Sequence, residues 1–482
     1  MNAVKLYRLF IDGKSVPSLS GKEYDVINPA NELKIASISG AGKDDVDLAV
    51  QSARKAFDDG PWPRFSGRQR AKLLRKIAQI IETRADELAY IETINTGKPI
   101  RDVNKQVLKS AACFEYYAGL ADKLWGTTIP IEENLLAYTL REPIGVCLGI
   151  TPWNSPLILA SYKMAPALAV GNTVILKPAS KTPLTSILLA EICAEAGIPP
   201  GVVNVLPGSG EEIGTALTAH PGIDKVSFTG DTKTGSTVMA TAAGTIKKVT
   251  LELGGKSPNL IFPDADLDQA IPSSVRAIYS HAGQRCTARS RLLVHQSIYE
   301  EFVERFVEQT KSIQVGDPLK IQTEMGPLIS YEQKKRIIAF IDEGLRSDAQ
   351  FLYGGEPEDQ SLVHGYYVLP TVFANVDSQS NLAQKEIFGP VVCILKFSNE
   401  DEVVRLANDT VYGLAASVWT NDLSLAHRVA KALRVGVISF NSVPVTYIEA
   451  PFGGYKQSGV GRELGLEGLL HFSEIKSVFI KT

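Results

Sequence analysis

At 482 residues the chain is too long for one small core, and its length predicts two or three domains. An apolar fraction of 44%, a charged fraction of 21% and a net charge of −3 are typical of a soluble globular protein. This balance gives no electrostatic reason to expect binding to nucleic acid or to an acidic membrane surface. We therefore expect a small-molecule partner, with no nucleic acid and no membrane.

The start of the chain has no positively charged stretch leading into an apolar run, so no secretion signal is expected. The apolar stretch at 144–150 is far shorter than the roughly 20 residues that a membrane helix needs. Five cysteines lie at spacings that suggest no pairing, which favours a reducing, cytoplasmic setting. No set of metal ligands is expected.

Short extended runs broken by glycine and proline predict a small antiparallel lead-in over the first forty residues. Two amphipathic helices follow, the second capped by Ser66. From Pro143 onward, short apolar strands alternate with helices, as in a parallel sheet covered on both faces. The predicted strands are Ile144–Ile150, Thr173–Leu176, Val202–Leu206, Lys225–Phe228 and Val249–Leu251. Residues 1–126 and 141–254 are thus predicted to form a doubly wound, Rossmann-like α/β domain that binds a dinucleotide.

A second alternation of strands and helices predicts another α/β domain over residues 255–445. Its predicted strands are Asn259–Phe262, Leu292–Val294, Val391–Lys396, Ala415–Trp419 and Gly436–Phe440, with helices at Ile298–Ser312 and Leu423–Leu433. Because Cys286 falls in this domain, we expect the active site in the cleft between the two domains.

Two segments fit neither domain. Thr127–Leu140 alternates apolar and polar residues as an exposed hairpin does, and Lys476–Ile480 is another extended run. Unpaired strands invite pairing with another chain. Residues 127–140 and 468–482 are therefore predicted to be a small β arm that joins subunits, in a homodimer or a homotetramer.

Cys286 is the one cysteine in a polar, glycine-opened stretch, G-Q-R-C-T, with Arg285 and Arg289 close by in sequence. Positive charge favours the thiolate, which is the nucleophilic form of cysteine. The alternative is a structural or incidental surface thiol.

Polar residues follow the predicted strands at the sheet edge, where ligands bind in such folds. Asn154 lies between two prolines and is suited to donating an amide N–H, or is a simple turn residue. Lys177 and Ser180 place a cation and a hydroxyl after the next strand, or Lys177 is a solvated loop lysine.

Two glycine-rich turns follow later strands. The first contains Gly210 in the pattern G-x-G-x-x-x-G, which nearly matches a dinucleotide fingerprint. The second runs from Gly230 to Gly235 after Phe228 and opens a helix, a setting that favours anions. Asp231 complicates that interpretation because its carboxylate repels phosphate, and its side chain is better explained as a helix N-cap.

Two carboxylates complete the candidate set. Glu252 ends a strand before Leu253 and two glycines, and in a partly apolar pocket its raised pKa would suit a general base. It could instead pair with Lys256. Glu386, next to the aromatic Phe388, is suited to binding ribose hydroxyls, or it lies on a surface turn.

Taken in order, the motifs P-W-N, K-P-A-S, F-T-G, E-L-G-G-K, G-Q-R-C and E-I-F-G-P resemble the NAD(P)-dependent aldehyde dehydrogenase superfamily across nearly the whole chain. The separation of Glu252 from Cys286, 286 − 252 = 34 residues, also resembles that family. An ordered set of matches is far more specific than any one motif.

The resemblance implies that Cys286 attacks an aldehyde and that Asn154 and the Cys286 backbone N–H hold the oxyanion of the thiohemiacetal. Hydride loss to NAD or NADP leaves a thioester, which water activated by Glu252 hydrolyses to the carboxylic acid. The remaining site residues would contact the cofactor: Lys177, Ser180 and Glu386 at the riboses, Trp153 and Phe388 at the nicotinamide, Gly230, Asp231 and Gly235 at the pyrophosphate, with Gly210, Phe228 and Leu253 alongside.

The chain departs from the family at Ser180, where NAD-preferring members often have Glu. A hydroxyl beside Lys181 does not repel a 2′-phosphate, so NADP is expected to be accepted. Ser155 replaces a common aromatic residue, which suggests a wider tunnel for an aromatic, bulky or semialdehyde substrate. Arg285 could bind a substrate carboxylate or form a structural ion pair. A CoA-acylating enzyme and a non-catalytic cofactor-binding scaffold are the competing functions.

Overall fold

The computed structural model describes residues 5–442 and 446–481. Along the first part of the chain the strands are β1 Leu6–Tyr7, β2 Leu9–Ile11, β3 Lys14–Val16, β4 Glu23–Ile27, β5 Lys34–Ser39, β6 Thr128–Ile129, β7 Leu135–Pro143, β8 Val146–Ile150, β9 Thr173–Lys177, β10 Val203–Val205, β11 Lys225–Thr229 and β12 Lys248–Glu252. The helices are α1 Lys43–Asp58, α2 Gly67–Thr83, α3 Ala85–Thr96, α4 Ile100–Leu120, α5 Pro156–Val170, α6 Leu184–Ala196, α7 Thr215–Ala219 and α8 Thr232–Ala243.

The later strands are β13 Pro258–Ile261, β14 Arg291–His295, β15 Gln350–Gly355, β16 Leu369–Ala374, β17 Val391–Phe397, β18 Ala415–Trp419, β19 Val437–Phe440, β20 Gly459–Val460 and β21 Ser473–Lys481. The later helices are α9 Leu267–Tyr279, α10 Tyr299–Lys311, α11 Tyr331–Leu345, α12 Asn381–Gln384, α13 Glu400–Asn408, α14 Leu423–Ala432 and α15 Gly465–Leu470.

The first large sheet has the strand order β20-β12-β11-β8-β9-β10-β2-β3 in the described residues. Its five central strands run parallel, and β20 and β2 join at either side in the antiparallel sense. Strands β8 to β11 are buried throughout, because helices cover both faces. The predicted doubly wound α/β sheet is confirmed. Its parallel strands end together, so the residues after β8, β9, β11 and β12 share one edge.

The second sheet has the order β15-β16-β17-β14-β13-β18-β19 over the described ranges. It is parallel except for β15, which pairs antiparallel with β16 at the edge. All five strands predicted for this domain are present, with no end shifted by more than one residue. Residues 443–445, the end of the predicted catalytic domain, lie outside the described residues, as do residues 1–4 and 482.

A third sheet brings together the two segments predicted to form an arm. Its order is β21-β7-β6, and β21 pairs antiparallel with β7 from Ser473 opposite Pro143 to Lys481 opposite Leu135. Apolar side chains on it remain exposed to solvent in the single chain: Ile129, Leu136, Leu140, Ile475, Phe479 and Ile480. The hairpin is longer than predicted, because β7 continues to Pro143.

The described part of the first forty residues does not form the separate antiparallel sheet that the sequence suggested. Strands β4 and β5 are antiparallel, but β1 adds to β5 in parallel, and the β2–β3 hairpin extends the first large sheet. Near the other end of the chain, β20 returns to that sheet and sets Gly459 opposite Glu252. Residues 446–467, which the sequence left without a domain, thus pack against the candidate base. No helix among the described residues is long and apolar enough to cross a membrane.

Candidate active site

The strand ends of the first sheet open on a cleft of about 1110 Å³ that reaches the thiol of Cys286. Twelve of the fourteen predicted site residues line it: Trp153, Asn154, Lys177, Ser180, Gly210, Phe228, Gly230, Asp231, Leu253, Cys286, Glu386 and Phe388. Glu252 and Gly235 do not line this cleft. The structure therefore gathers on one surface residues that are up to 235 positions apart, 388 − 153 = 235.

The turn that carries Cys286 is held in a conformation that most residues avoid. After α9, His281 and Ala282 adopt left-handed backbone angles with φ of 53° and 52°. Gly283 follows with φ of 69°, and a Cβ there would lie 2.1 Å from the Gly389 carbonyl oxygen. Only glycine fits this position. The strained backbone directs the next residues toward the cleft.

Gln284 fixes this turn from inside the protein. Its side-chain Nε2 donates to the carbonyls of His281 and Pro327 at 3.1 and 3.3 Å, and its Oε1 accepts from the Ile329 N–H at 2.9 Å. The side chain is fully buried. The residue directly before Arg285 and Cys286 is thus anchored by three hydrogen bonds, which leaves the thiol little freedom to move.

The electrostatic setting of Cys286 differs from the prediction. The pKa of the Cys286 thiol is raised to about 12, chiefly by burial and also by the nearby Glu252 and Glu386 carboxylates, while Arg285 opposes the rise. The sequence suggested that positive charge would favour the thiolate, and in the free enzyme this is wrong because burial and two carboxylates outweigh one guanidinium. Deprotonation of Cys286 therefore needs a proton acceptor.

Asn154 is placed as a donor beside the thiol. It lies on a bend before Pro156, the first residue of α5, and is buried at 7% exposure. Its Nδ2 donates to the Gln284 carbonyl at 2.9 Å. Since an amide carries two N–H groups, the second remains available to a ligand in the cleft. The turn-residue alternative does not explain this bond to the loop that carries Cys286.

Glu252 lies behind the cleft rather than on it. Its Oε1 accepts from the Gly454 N–H at 3.2 Å. Burial raises the pKa of Glu252 well above its ordinary value, with a further contribution from Glu463. The alternative pairing with Lys256 is not formed, because the Lys256 ammonium has no hydrogen-bond partner in the part of the chain that the structure describes.

A buried ion pair stands next to Glu252. Lys163 Nζ donates to Glu463 at 2.5 Å and also to the hydroxyls of Thr229 and Ser227. The charge of Lys163 opposes the rise in the Glu252 pKa that Glu463 causes. Sequence reasoning missed both members of this pair. Lys163 sits inside the apolar helix α5, and a lone charge in such a helix is the signal that points to a buried partner.

Lys177 is buried at the end of β9, so the alternative of a solvated lysine is wrong. Its Nζ donates only to the Pro178 carbonyl, at 3.1 Å, and burial lowers its pKa to about 8. Ser180 is exposed at the cleft. Lys181, which was expected to help with a 2′-phosphate, instead pairs with Glu332 at 2.9 Å. The Lys181 ammonium is therefore paired with a carboxylate outside the cleft lining.

The stretch from Glu386 to Phe388 is positioned by α11, which sequence reasoning did not connect with the site. Gln333 Nε2 donates to the Phe388 carbonyl at 2.8 Å, and Arg336 donates to the Glu386 carbonyl at 2.7 Å. Both side chains also line the cleft. Phe388 meets Trp153 edge to face, with ring centroids 5.2 Å apart. Two aromatic rings from different sheets thus border the cleft together.

The Glu386 carboxylate accepts from the Gly255 N–H at 3.1 Å. Burial raises the pKa of Glu386 to about 7. With one backbone donor for two oxygens, the carboxylate keeps acceptor capacity for a ligand hydroxyl.

The second glycine-rich turn, Gly230 to Gly235, lines the cleft at one end and packs against Leu253 at the other. Asp231 caps α8, because its carboxylate accepts from the Thr234 N–H at 2.9 Å and from the Thr234 hydroxyl at 2.6 Å. The N-cap interpretation is confirmed. Gly235 lies one turn later against Leu253, where a Cβ would come within 2.4 Å of a methyl group. Gly235 therefore lets the helix approach the strand, and it does not line the cleft.

The cleft fits an extended dinucleotide. A buried ammonium at Lys177 and a buried carboxylate at Glu386 each have a single partner, and both groups bind ribose hydroxyls well. The glycines at positions 210 and 230 leave room for a close approach, and the N-terminus of α8 favours an anion.

The chain matches the model of the aldehyde dehydrogenase family over residues 16–478. The betaine aldehyde dehydrogenase of Bacillus subtilis is 44% identical over 477 residues, which cover 98% of this chain and 97% of that protein. Aldehyde dehydrogenase 1 of Tanacetum cinerariifolium is 44% identical over 98% of this chain and 95% of its own length.

The solved structure of betaine aldehyde dehydrogenase from Staphylococcus aureus, in complex with NAD+, superimposes with a TM-score of 0.97. It is 40% identical and covers 99% of this chain and 95% of its own. The chain therefore belongs to the aldehyde dehydrogenase family. The predicted class of enzyme, an NAD(P)-dependent aldehyde dehydrogenase, is confirmed.

Proposed function

We propose that this enzyme oxidises its aldehyde through a covalent intermediate on Cys286, with Asn154 as the oxyanion donor and Glu252 as the base for water. The observation that supports this most strongly is that the thiol and the Asn154 amide border the same cleft as Lys177 and Glu386. One surface thus carries a nucleophile, a fixed donor and groups that suit a dinucleotide.

In the first step, Cys286 Sγ would bond to the aldehyde carbon while the carbonyl π bond breaks and its electron pair moves to oxygen. The free N–H of Asn154 and the Cys286 backbone N–H would hold that oxyanion. Since the thiol is protonated in the free enzyme, Glu252 is the group best suited to take its proton. A carboxylate with a raised pKa is a competent base near neutral pH.

Bound NAD(P)+ supplies the acceptor for the hydride that leaves the substrate carbon. The chain's part is to hold it: Lys177 and Glu386 at ribose hydroxyls, and Trp153 with Phe388 beside the nicotinamide. The Cys286 thioester that results would then be attacked by water. Glu252 would take the proton from that water, and the Cys286 thiolate would leave as the carboxylic acid forms.

For Glu252 to reach water in the cleft, its carboxylate must leave the Gly454 N–H. One hydrogen bond of 3.2 Å holds it there, so a rotation of the side chain releases it at modest cost. The base would thus work from a resting position outside the cleft.

Steady-state kinetics over aliphatic, aromatic and semialdehyde substrates with both cofactors tests this function. We expect formation of NADH or NADPH without added CoA. Turnover that depends on CoA would instead establish the acylating alternative. No reduced cofactor from any aldehyde would establish the non-catalytic scaffold.

We propose that NADP is accepted because the hydroxyl of Ser180 stands where a carboxylate would repel a 2′-phosphate. Lys181 forms a solvent-exposed ion pair with Glu332, so its ammonium is directed to that carboxylate. Initial rates with each cofactor test this, and discrimination against NADP of more than about 100-fold contradicts it. Ser180→Glu should then lower the rate with NADP about 10-fold or more and leave NAD nearly unchanged.

Glu211 also lines the cleft and is the matched control for this experiment. It lies on the turn Gly210–Gly214 and was not considered from the sequence. If Glu211→Gln, rather than Ser180→Glu, sets the preference between the cofactors, Ser180 has no part in it.

We also propose that the arm sheet joins subunits into a homodimer or homotetramer in a reducing, cytoplasmic compartment. Its exposed apolar side chains support association, and they lie on both faces of the sheet. Leu136 is opposite Ile480 on one face, whereas Ile129 and Phe479 flank Ala137 on the other. A monomeric mass in solution at micromolar concentration contradicts this.

The substrate would be an aromatic, bulky or semialdehyde compound.

A further inference from the structure

The guanidinium of Arg285 has no hydrogen-bond or ion-pair partner in the part of the chain that the structure describes. It is half-buried directly before Cys286. Arg289, four residues later, shows the contrast. Its guanidinium donates to Ser417, Thr287 and Ala416 at 2.9, 2.7 and 3.1 Å. Arg289 is a structural arginine, whereas the structural ion pair considered for Arg285 is not formed.

Arg285 is the residue directly before Cys286, but it does not border the cofactor cleft. Lys109 and Tyr162 do not border it either. The charge of Arg285 nevertheless reaches Cys286 and the buried Tyr162 of α5. Tyr162 has no hydrogen bond to its hydroxyl in the described residues and is 7% exposed. A guanidinium and a phenol thus lie near the Cys286 thiol without bordering the cofactor cleft.

Further positive charge surrounds Arg285. Burial lowers the pKa of Lys109 on α4, and the charge of Arg285 lowers it further. The pKa of Lys98 is also lowered, to about 8, and burial is the largest cause. The charge of Glu92 opposes this lowering, and the charge of Arg285 adds to it. The charge of Arg285 thus opposes ionisation of both lysines.

The negative groups nearby do not cancel this charge. Asp102 attracts both Lys98 and Arg285 but forms no ion pair with either. Glu449 attracts Lys109 from an exposed position, and the Lys109 ammonium donates to the backbone carbonyl of Thr446. Lys98 is the better satisfied cation, since it donates to Gln106 at 2.6 Å and to Ser155 at 2.8 Å. Arg285 therefore remains the cation with most unused hydrogen-bonding capacity.

Given the proposed role of Cys286, on which this inference rests, we propose that the preferred aldehyde carries a carboxylate that binds Arg285, with Lys109 adding to the attraction. A guanidinium binds a carboxylate through two parallel hydrogen bonds, which satisfies its donors. Betaine aldehyde, after which a relative is named, carries a permanent positive charge. The same cations would repel it.

The test compares glutaric semialdehyde with pentanal, which has the same chain length and no charge, and with betaine aldehyde. The wild-type kcat/KM for glutaric semialdehyde should exceed that for pentanal by about 10-fold or more. Arg285→Gln should lower the ratio of kcat/KM for glutaric semialdehyde to kcat/KM for pentanal by about 10- to 100-fold, mainly through KM. Any loss that comes from the Arg285 charge beside the Cys286 thiol acts equally on both aldehydes and leaves this ratio unchanged. Arg285→Lys should restore part of the preference.

Pentanal turnover also reports folding and the underlying chemistry in every variant. Arg101→Gln is the matched control, because it removes one positive charge from the same helix as Lys109 and should leave the ratio unchanged. Lys109→Met should lower the ratio by a smaller factor than Arg285→Gln.

A wild-type enzyme that prefers pentanal or betaine aldehyde overturns the carboxylate proposal. So does an Arg285→Gln variant that loses activity equally on glutaric semialdehyde and pentanal. If no aldehyde is oxidised at all, the proposed function itself fails, which is a separate and recognisable result.

Discussion

The two sides of Cys286 are formed by different kinds of structural element. On the cofactor side, the cleft is made of strand ends and glycine turns, where Asn154 and Ser180 follow strands of the first sheet and Lys177 ends one. On the substrate side, the residues come from α4, from α5 and from the catalytic turn. The first side suits a dinucleotide, and the second carries the charge of Arg285, which is unpaired among the described residues. Mutations can separate them, because cofactor-side changes should act equally on all aldehydes.

The largest effect is expected where the two sides meet. Cys286→Ala removes the atom that bonds to the substrate, so turnover should fall by about 10⁴-fold or more with every aldehyde and either cofactor. Binding of NAD and NADP, measured by titration of protein fluorescence, should remain. If cofactor binding disappears together with turnover, Cys286 has a role in folding instead.

A smaller effect, restricted to the cofactor side, is expected at Glu386. Because burial raises its pKa to about 7, lowering the pH through 7 protonates the carboxylate and removes its best acceptor for a ribose hydroxyl. The dissociation constant for NAD should therefore rise on acidification, by about 10-fold for one charge-assisted hydrogen bond. Glu386→Gln should bind weakly at every pH and show no such step.

The same shift predicts the direction of the stability change. The pKa of Glu386 is raised in the folded state, so the folded protein holds this proton more tightly than the unfolded chain does. The unfolding free energy should then fall as pH rises from about 4.5 to 7, and Glu386→Gln should reduce that fall. A Glu386→Gln protein with an unchanged pH profile for cofactor binding would contradict the first expectation, and one with an unchanged fall in unfolding free energy would contradict the second.

The smallest effect is expected at Asp231, on the edge of the cofactor side. Asp231→Ala removes the N-cap of α8 and should cost about 1 kcal/mol of unfolding free energy, measured by denaturant titration. The dissociation constants for the cofactors should change by less than about threefold, and Asp231→Ser should recover the stability. A large change in cofactor affinity would mean that the carboxylate acts on the pyrophosphate after all.

The difference between the two sides also explains what the sequence could predict. Strands that are apolar throughout are short and bounded by turns, so both sheets and the residues at their ends could be located. The glycines and Lys177 were found because they follow strands directly. Lys109 and Lys163 were missed since a lysine within a helical pattern looks like a solvated one, and only the packing of α4 and α5 shows otherwise.

The pKa values of the site residues were harder to predict from the sequence than their positions in the fold. The pKa of Cys286 depends on burial and on carboxylates 34 residues before it and 100 residues after it, 286 − 252 and 386 − 286, and neither is visible in the local stretch. In the same way, Gln333 and Arg336 hold the Glu386 loop through its backbone carbonyls, which leave no pattern in the sequence. The resemblance to a family indicated which residues matter, and the structure shows what state they are in.

The pairing of β21 with β7 has a consequence for how the chain is made. Residues 473–481 complete a sheet whose other strand was synthesised more than 330 residues earlier, since 473 − 143 = 330. During translation, β7 must wait with one edge open and its apolar side chains exposed while the whole second sheet emerges from the ribosome. Chaperone contact with nascent chains should therefore centre on residues 128–143 and end once β21 is released.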